Sequence, residues 1–316
     1  MTRIAILDDY QGVALQMADW SALEARCEIA VFREAFESEL AAAEALSGFD
    51  VVCANRERTP FPRTLFEKLP RLRLLTTTGM RNAAIDLDAA HDHGVTVCGT
   101  ASPGHAASEL AWGLVLALSR KIVAEDRAVR RGLWQSTLGN DLRGRTLGLL
   151  GLGRHGGLVA GYGNAFGMQV LAWSTNLTDA RCAEVGARRV ELDELLARAD
   201  VISIHLVLGP RYEGLIGANE LARMKSTALL VNTSRGPIVD ENALIDALRE
   251  RHIGGAGLDV YDQEPLSPHH PLVTLPNTVL TSHVGFVTEE TYRVFYGETV
   301  ECVTRWLADD PVRVLT

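Results

Sequence analysis

The chain has no paired-cysteine pattern. Its five cysteines, Cys27, Cys53, Cys98, Cys182 and Cys302, are scattered over 316 residues. That excludes a disulfide framework and a C-x-x-C zinc site, and it suits reduced thiols in a cytoplasmic protein. Long apolar runs are also missing. The most apolar helical stretch, residues 110–118, is bounded by Glu109 and by Arg120-Lys121, far short of the ~20 residues that cross a bilayer. No membrane partner is expected. Basic charge is in deficit, with 31 Lys and Arg against 40 Asp and Glu and a net charge of −9, so no nucleic-acid partner is expected either. Low-complexity tracts are absent. The opening MTRIAILDDY reads directly as a strand rather than a signal peptide. The histidine groupings His91-Asp92-His93 and His269-His270 come without a third ligand, so no metal site is expected.

What remains is a globular composition, 47% hydrophobic and 22% charged, in a chain long enough for two domains. Its organising stretch runs from 145 to 174. The apolar run Thr146-Leu147-Gly148-Leu149-Leu150 reads as a buried strand. Gly151, Gly153 and Gly156 follow, then small and apolar residues at helical spacing over 158–166, then a second strand over 168–173. G-x-G-x-x-G between a strand and a helix is a dinucleotide-binding turn. The first glycine allows the tight turn, the second lets a pyrophosphate approach the backbone, and the third allows close helix packing. The helix N-terminus then offers N–H groups and a positive dipole end to the phosphates. Arg154 and His155 lie within this turn, His155 as a solvent-facing neighbour of the phosphates. At the end of the second strand, where an acidic residue selects the NAD ribose, the sequence reads Ser174-Thr175-Asn176, with no carboxylate before Asp179. Those groups and Arg154 would not repel a 2′-phosphate. The cofactor is therefore NAD or NADP, with NADP tolerance expected.

The pattern on either side alternates strand and helix, which predicts parallel sheets covered on both faces. Strands are expected near 4–7, 29–32, 51–53, 72–77 and 95–97, and later near 201–206, 228–232, 256–260 and 279–282. TASPG at 100–104 reads as a crossing between domains. One long helix is expected from about 105 to 131, with Ser102 or Ser108 as its cap; another, capped by Asp240, follows the run at 228–232. Three polar residues, Arg235, Asp259 and His283, fall at or just past strand C-terminal ends, the rim where ligand chemistry collects in this architecture. Reduction of a 2-keto acid needs a cation for the carboxylate, a proton donor for the carbonyl and a carboxylate to orient that donor. Arg235, His283 and Glu264 supply these types.

Four segments carry a family resemblance: GLLGLGRHGG at 148–157, LLVNTSRGPIVDENAL at 229–244, GAGLDVYDQEP at 255–265 and SHVGF at 282–286. Over nearly its whole length the chain resembles the D-isomer-specific 2-hydroxyacid dehydrogenases. The resemblance implies two doubly wound α/β domains: a Rossmann cofactor domain at 101–286 inserted into a flavodoxin-like substrate domain at 1–100 plus 287–316. The site would lie in the cleft between them, and a homodimer is the expected assembly. It implies that Arg235 binds the substrate carboxylate and that His283 is the acid in reduction and the base in oxidation. Glu264 would hydrogen-bond His283 and raise its pKa. Asp259 would contact the nicotinamide end of the cofactor, with His205 and Thr233 along it. Thr78, Gly79 and Met80 would bind substrate carboxylate through backbone N–H groups.

The sequence departs from the family pattern at the ribose-binding acid, at Leu206-Val207-Leu208 where a proline is usual, and at Arg81, an extra cation beside the Thr78–Met80 loop. Arg81, with Arg56, would bind a second anionic group on the substrate; the alternative is an exposed arginine paired with Asp86 or Glu57. Expected substrates are 2-keto or 2-hydroxy acids such as glyoxylate, hydroxypyruvate, pyruvate and phosphoglycerate. Two other functions fit the same fold. One is formate oxidation, against which Glu264 counts. The other is a catalytically weak, cofactor-sensing interaction protein, against which the lack of any extra partner-binding segment counts.

Overall fold

The computed structural model describes residues 1–316, and the chain divides into two compact units. One comprises Met1–Pro103 and Val287–Thr316, the other Gly104–Phe286. No helix is long and apolar enough to cross a membrane.

The first unit is built on five parallel strands, β1 (Thr2–Ile6), β2 (Cys27–Val31), β3 (Val51–Ala54), β4 (Leu74–Thr77) and β5 (Thr96–Gly99). They lie in the order β2-β1-β3-β4-β5, the flavodoxin-like arrangement. Central strands covered on both faces are predominantly apolar, and every residue of β3 and β4 is buried, Thr76 and Thr77 included. Helices Glu39–Leu46 and Leu87–Asp92 start where Ser38 and Asp86 accept the Ala41 and Ala89 N–H groups at 3.2 and 2.8 Å, as side-chain N-caps do. The last helix, Glu289–Trp306, packs on β4 and β5. Arg313 ties the tail back by donating to the Gly99 and Glu298 carbonyls at 3.2 and 3.0 Å.

The second unit holds β6 (Thr146–Leu150), β7 (Gln169–Trp173), β8 (Arg188–Arg189), β9 (Val201–Ile204), β10 (Leu229–Asn232), β11 (Gly255–Leu258) and β12 (Thr278–Leu280). All neighbours are parallel, in the order β12-β11-β10-β9-β6-β7-β8. The direction of winding reverses between β6 and β9, so a switch-point crevice opens there, where open α/β sheets bind ligands. Separate apolar clusters cover the two faces. One is centred on Leu195, Leu230 and Leu248, the other on Leu114, Leu147 and Val159. The cap expected at Asp240 is present, with its carboxylate accepting from Ala243 N at 3.0 Å.

The long helix expected over 105–131 is two helices, Ala106–Ser119 and Ile122–Val129, parted by Lys121 in a left-handed backbone conformation (φ 54°). Asn140 N–H, at 2.7 Å, takes the Ser119 carbonyl, so a tertiary contact ends the first helix where no glycine or proline does. Neither Ser102 nor Ser108 caps it. The N-cap is His105, without a side-chain bond, and the Ser108 hydroxyl instead meets His155 Nδ1 at 3.0 Å.

Candidate active site

The chemistry of the second unit gathers on loops that leave the C-terminal ends of β6, β9, β10, β11 and β12. Gly151 leaves β6 at φ +96°, and a Cβ there would lie 2.6 Å from the His205 carbonyl oxygen. The ends of β6 and β9 therefore abut at the switch point, and only glycine fits between them. A Cβ on Gly156 would sit 2.1 Å from the Gly151 carbonyl oxygen, whereas one on Gly153 would meet nothing within 4 Å. Two glycines are thus required by the fold, while the second opens onto free space above a helix N-terminus. This cradle fits a dinucleotide pyrophosphate.

The helix begins at Arg154, earlier than the apolar spacing predicts, so Arg154 and His155 occupy its first turn. The Arg154 guanidinium lies over Gly104, where a Cβ would be 2.1 Å from its Nη1. His155 is half-buried against Ser108 rather than solvent-facing. His205 bonds Ser203 Oγ through Nε2 at 2.9 Å. Burial first, and the neighbouring His155 second, lower its pKa to about 3, so it serves as a neutral imidazole. Thr175 Oγ1 lies 2.9 Å from Tyr212 OH. Sequence reasoning missed Arg181, whose Nε and Nη2 donate to the Leu152 and Gly153 carbonyls at 3.0 and 3.3 Å. No short-range signal links a residue 28 positions downstream to that turn.

The loop after β10 carries Thr233, Ser234 and Arg235. Asn232 braces it, donating from Nδ2 to the Arg235 carbonyl at 2.9 Å and accepting from Ser234 N at 3.0 Å. Ser234 Oγ donates to the Ile204 carbonyl at 2.8 Å, and Arg235 Nη1 to the Ser234 carbonyl at 2.8 Å. The loops after β11 and β12 bring Glu264 and His283 together, with His283 Nδ1 2.6 Å from Glu264 Oε2. The other carboxylate oxygen, Oε1, accepts Tyr261 N–H at 3.0 Å. His283 itself has φ 54°, a left-handed conformation costly for a residue with a Cβ.

Asp259, 1% exposed, braces that strained loop. Its Oδ1 accepts from Thr281 Oγ1 at 2.6 Å and Val284 N at 2.8 Å, and its Oδ2 from Gly285 N at 2.9 Å. Burial raises its pKa against those bonds and against His283. The carboxylate expected at the nicotinamide thus has three bonds to residues flanking His283.

In the first unit, the loop after β4 is pinned on both sides of Met80-Arg81. Thr78 N donates to the Ala54 carbonyl at 3.3 Å and Gly79 N to Thr100 Oγ1 at 2.9 Å. Asn82 Nδ2 donates to the Arg56 carbonyl and Thr77 Oγ1 at 2.7 and 2.9 Å, and its Oδ1 accepts Ala84 N at 2.9 Å. Two of the three N–H groups expected to hold a carboxylate are thus engaged within the unit. The pairing of Arg81 with Asp86 or Glu57 is not found: Asp86 caps a helix, Glu57 meets Arg56 Nε at 3.5 Å, and Arg81 stands exposed without a hydrogen bond or ion pair. A cavity of about 420 Å³ lies beside it, lined by Met80, Asn82, Ile85, Leu87 and Leu315 among others.

No group of three or more His, Cys, Asp or Glu side chains could hold a metal ion. Asp92 pairs with Arg63 at 2.8 Å, and His270 Nε2 lies 3.1 Å from Glu241.

A glycine turn at the switch point, with a carboxylate–imidazole pair and an arginine on the same rim, defines a dinucleotide-dependent dehydrogenase. Residues 112–285 match the family model "D-isomer specific 2-hydroxyacid dehydrogenase, NAD binding domain". The chain is 43% identical over 239 residues to a glyoxylate reductase of Aeropyrum pernix, covering 72% of this chain and 71% of that protein. It is 31% identical over 327 residues to a hydroxypyruvate reductase of Blautia hydrogenotrophica, covering 99% of each. Among solved structures it superposes on a phosphoglycerate oxidoreductase from Vibrio cholerae with a TM-score of 0.93 at 34% identity, covering 98% of this chain and 100% of that one. The chain belongs to the D-isomer-specific 2-hydroxyacid dehydrogenase family. It is an oxidoreductase using NAD or NADP.

Proposed function

We propose that the enzyme reduces a short 2-keto acid to the D-2-hydroxy acid, with glyoxylate and hydroxypyruvate the first candidates. The observation that carries this reading is the 2.6 Å contact between His283 Nδ1 and Glu264 Oε2, on the same rim as Arg235. Glu264 occupies Nδ1, so Nε2 is the atom that faces a substrate and delivers the proton to its carbonyl oxygen. Glu264 fixes the tautomer and the orientation of the ring. Arg235 presents a planar fork that binds the substrate carboxylate and draws electron density from the adjacent carbonyl. The bound dinucleotide supplies a hydride to the carbonyl carbon. Of the loop expected to receive the acid, Thr78 and Gly79 have their N–H groups engaged, so Met80 N–H and the Arg81 guanidinium are the donors proposed to meet the acid's polar ends.

For the cofactor, the proposed set is the Gly151–Gly156 turn with Arg154 and His155, the Ser174–Asn176 segment, His205, Thr233 and Asp259. Ser174, Thr175 and Asn176 bring no carboxylate, and Arg154 sets a cation in the first turn of the helix after the glycine turn. Both features support acceptance of NADP beside NAD. The test is absorbance at 340 nm with NADH and NADPH offered separately against glyoxylate, hydroxypyruvate, pyruvate and 2-ketoglutarate. His283→Ala is expected to lower kcat by about 10²–10⁴, the range for a lost general acid. Undiminished turnover in that variant refutes the assignment.

The five unpaired, buried thiols support a reducing cytoplasm. A homodimer is supported by an apolar arm after residue 121. Trp134 is 80% and Leu138 91% exposed, with Ile122, Val129 and Leu133 also on the surface, a concentration that marks an interaction site. Sedimentation at the mass of one 34.4 kDa chain would contradict it.

A further inference from the structure

Three loops carry the acid–base machinery, and one residue outside it touches each of them, two through its backbone and one through its side chain. Tyr261, 6% exposed, stands two residues beyond Asp259. Its backbone N–H donates to Glu264 Oε1 at 3.0 Å. Its hydroxyl lies 2.8 Å from the Thr281 carbonyl and 3.1 Å from the Leu258 carbonyl. A phenol has one proton, so the shorter bond is the donated one, and it joins the ring to the strand end that carries His283. The third loop is held by close packing. A Cβ on Gly236, next to Arg235, would lie 2.1 Å from the Tyr261 carbonyl carbon and 2.2 Å from its oxygen. The Arg235 loop thus rests directly on the Tyr261 backbone.

We propose that Tyr261 is a positioning residue, whose hydroxyl holds the His283 loop in register with the Glu264 and Arg235 loops. The His283 backbone is left-handed, and its neighbours must hold it there. Asp259 does so through Thr281, Val284 and Gly285. Tyr261 adds a further tie through the Thr281 carbonyl. Burial, with Asp259 and Glu264 adding their charge, raises the phenol pKa, so the group remains a donor throughout the working range. A displacement of His283 by a fraction of an ångström would lengthen the 2.6 Å contact to Glu264 and misdirect Nε2, while leaving the dinucleotide turn untouched. Alignment of this kind governs the rate of a proton transfer more than binding.

The inference rests on His283 acting as the acid, and the experiment keeps the two apart. Tyr261→Phe retains the buried ring and removes only the hydroxyl. Steady-state reduction of glyoxylate or hydroxypyruvate is compared with the unsubstituted enzyme, and NADH affinity is read by fluorescence titration. Expected are a roughly tenfold lower kcat, KM for the keto acid and Kd for NADH within twofold, and a larger solvent deuterium isotope effect as proton transfer becomes slower. A kcat within twofold of the unsubstituted enzyme overturns the inference. So does a parallel loss of kcat and NADH affinity, which marks a general structural role. Full turnover by His283→Ala overturns instead the acid assignment beneath it.

Discussion

Two glycines follow two strands at almost the same positive φ, Gly79 after β4 at +95° and Gly151 after β6 at +96°. Their surroundings differ. A Cβ on Gly151 would strike the His205 carbonyl oxygen at 2.6 Å, a backbone atom fixed in the sheet. A Cβ on Gly79 would strike Arg56 Nη1 at 2.2 Å, the far end of a flexible side chain. The loop in the second unit is locked by main chain, and beyond it Asn232 braces its own loop while Asp259 and Tyr261 commit side-chain polar atoms to the His283 loop. The loop in the first unit is pinned at Gly79 and Asn82 but leaves Met80-Arg81 without hydrogen bonds. One rim has invested in fixed geometry, as proton and hydride transfer require. The other leaves Met80-Arg81 free of such ties, as the proposed recognition of a variable substrate end would require.

That contrast can be broken by adding one methyl group to each glycine. Gly151→Ala carries left-handed strain, ~1–2 kcal/mol, and an unrelieved clash with backbone, a further ~1–3 kcal/mol. Thermal melting of the purified variant is expected about 10 °C below the unsubstituted protein, at 2–4 °C per kcal/mol for a unit of this size, with NADH binding lost. Gly79→Ala carries the strain and, once Arg56 swings aside, the loss of the 3.2 Å bond from its Nη1 to the Thr78 carbonyl, ~1 kcal/mol more, and is expected to melt only about 6 °C lower, with NADH binding retained. Equal losses in the two variants would show that the Arg56 cover is as rigid as the strand end, and the contrast would fall.

The same division sets what could be read from the sequence. Eleven of the twelve strands announce themselves as short apolar runs, because strands covered on both faces are predominantly apolar. β8 does not, since it is two exposed arginines. The glycine turn and the Arg235, Glu264 and His283 positions were legible because motif and family pattern both mark them. The break at Lys121 was not, because its cause is Asn140, far along the chain. Tyr261 reads as one more apolar residue after a strand; its role depends on where Thr281 and Gly236 fall in space. Asp259 was legible as a site residue, but the three bonds that tie it to the His283 loop were not. Arg81 is the reverse case. The sequence left open whether it was paired, and the structure shows it unpartnered.

Arg81 therefore gives the smallest and most selective expected effect. An exposed ion pair stabilises by ~0–1 kcal/mol, and Arg81 has none to lose, so Arg81→Ala should melt with the unsubstituted protein. Short monoanionic substrates such as glyoxylate have no second charge to present and should keep kcat and KM within twofold. A substrate with a second anion, 2-ketoglutarate for example, would lose a charge-assisted contact of ~1.5 kcal/mol. Its KM should rise about tenfold, with kcat little changed, as removal of uniform binding predicts. The diagnostic quantity is the ratio of kcat/KM for 2-ketoglutarate over glyoxylate, which cancels errors in enzyme concentration and any general loss of activity. If that ratio is the same with and without Arg81, the guanidinium takes no part in recognition. The open loop of the first unit would then be exposed without being selective, and its difference from the locked loop of the second would be one of rigidity alone.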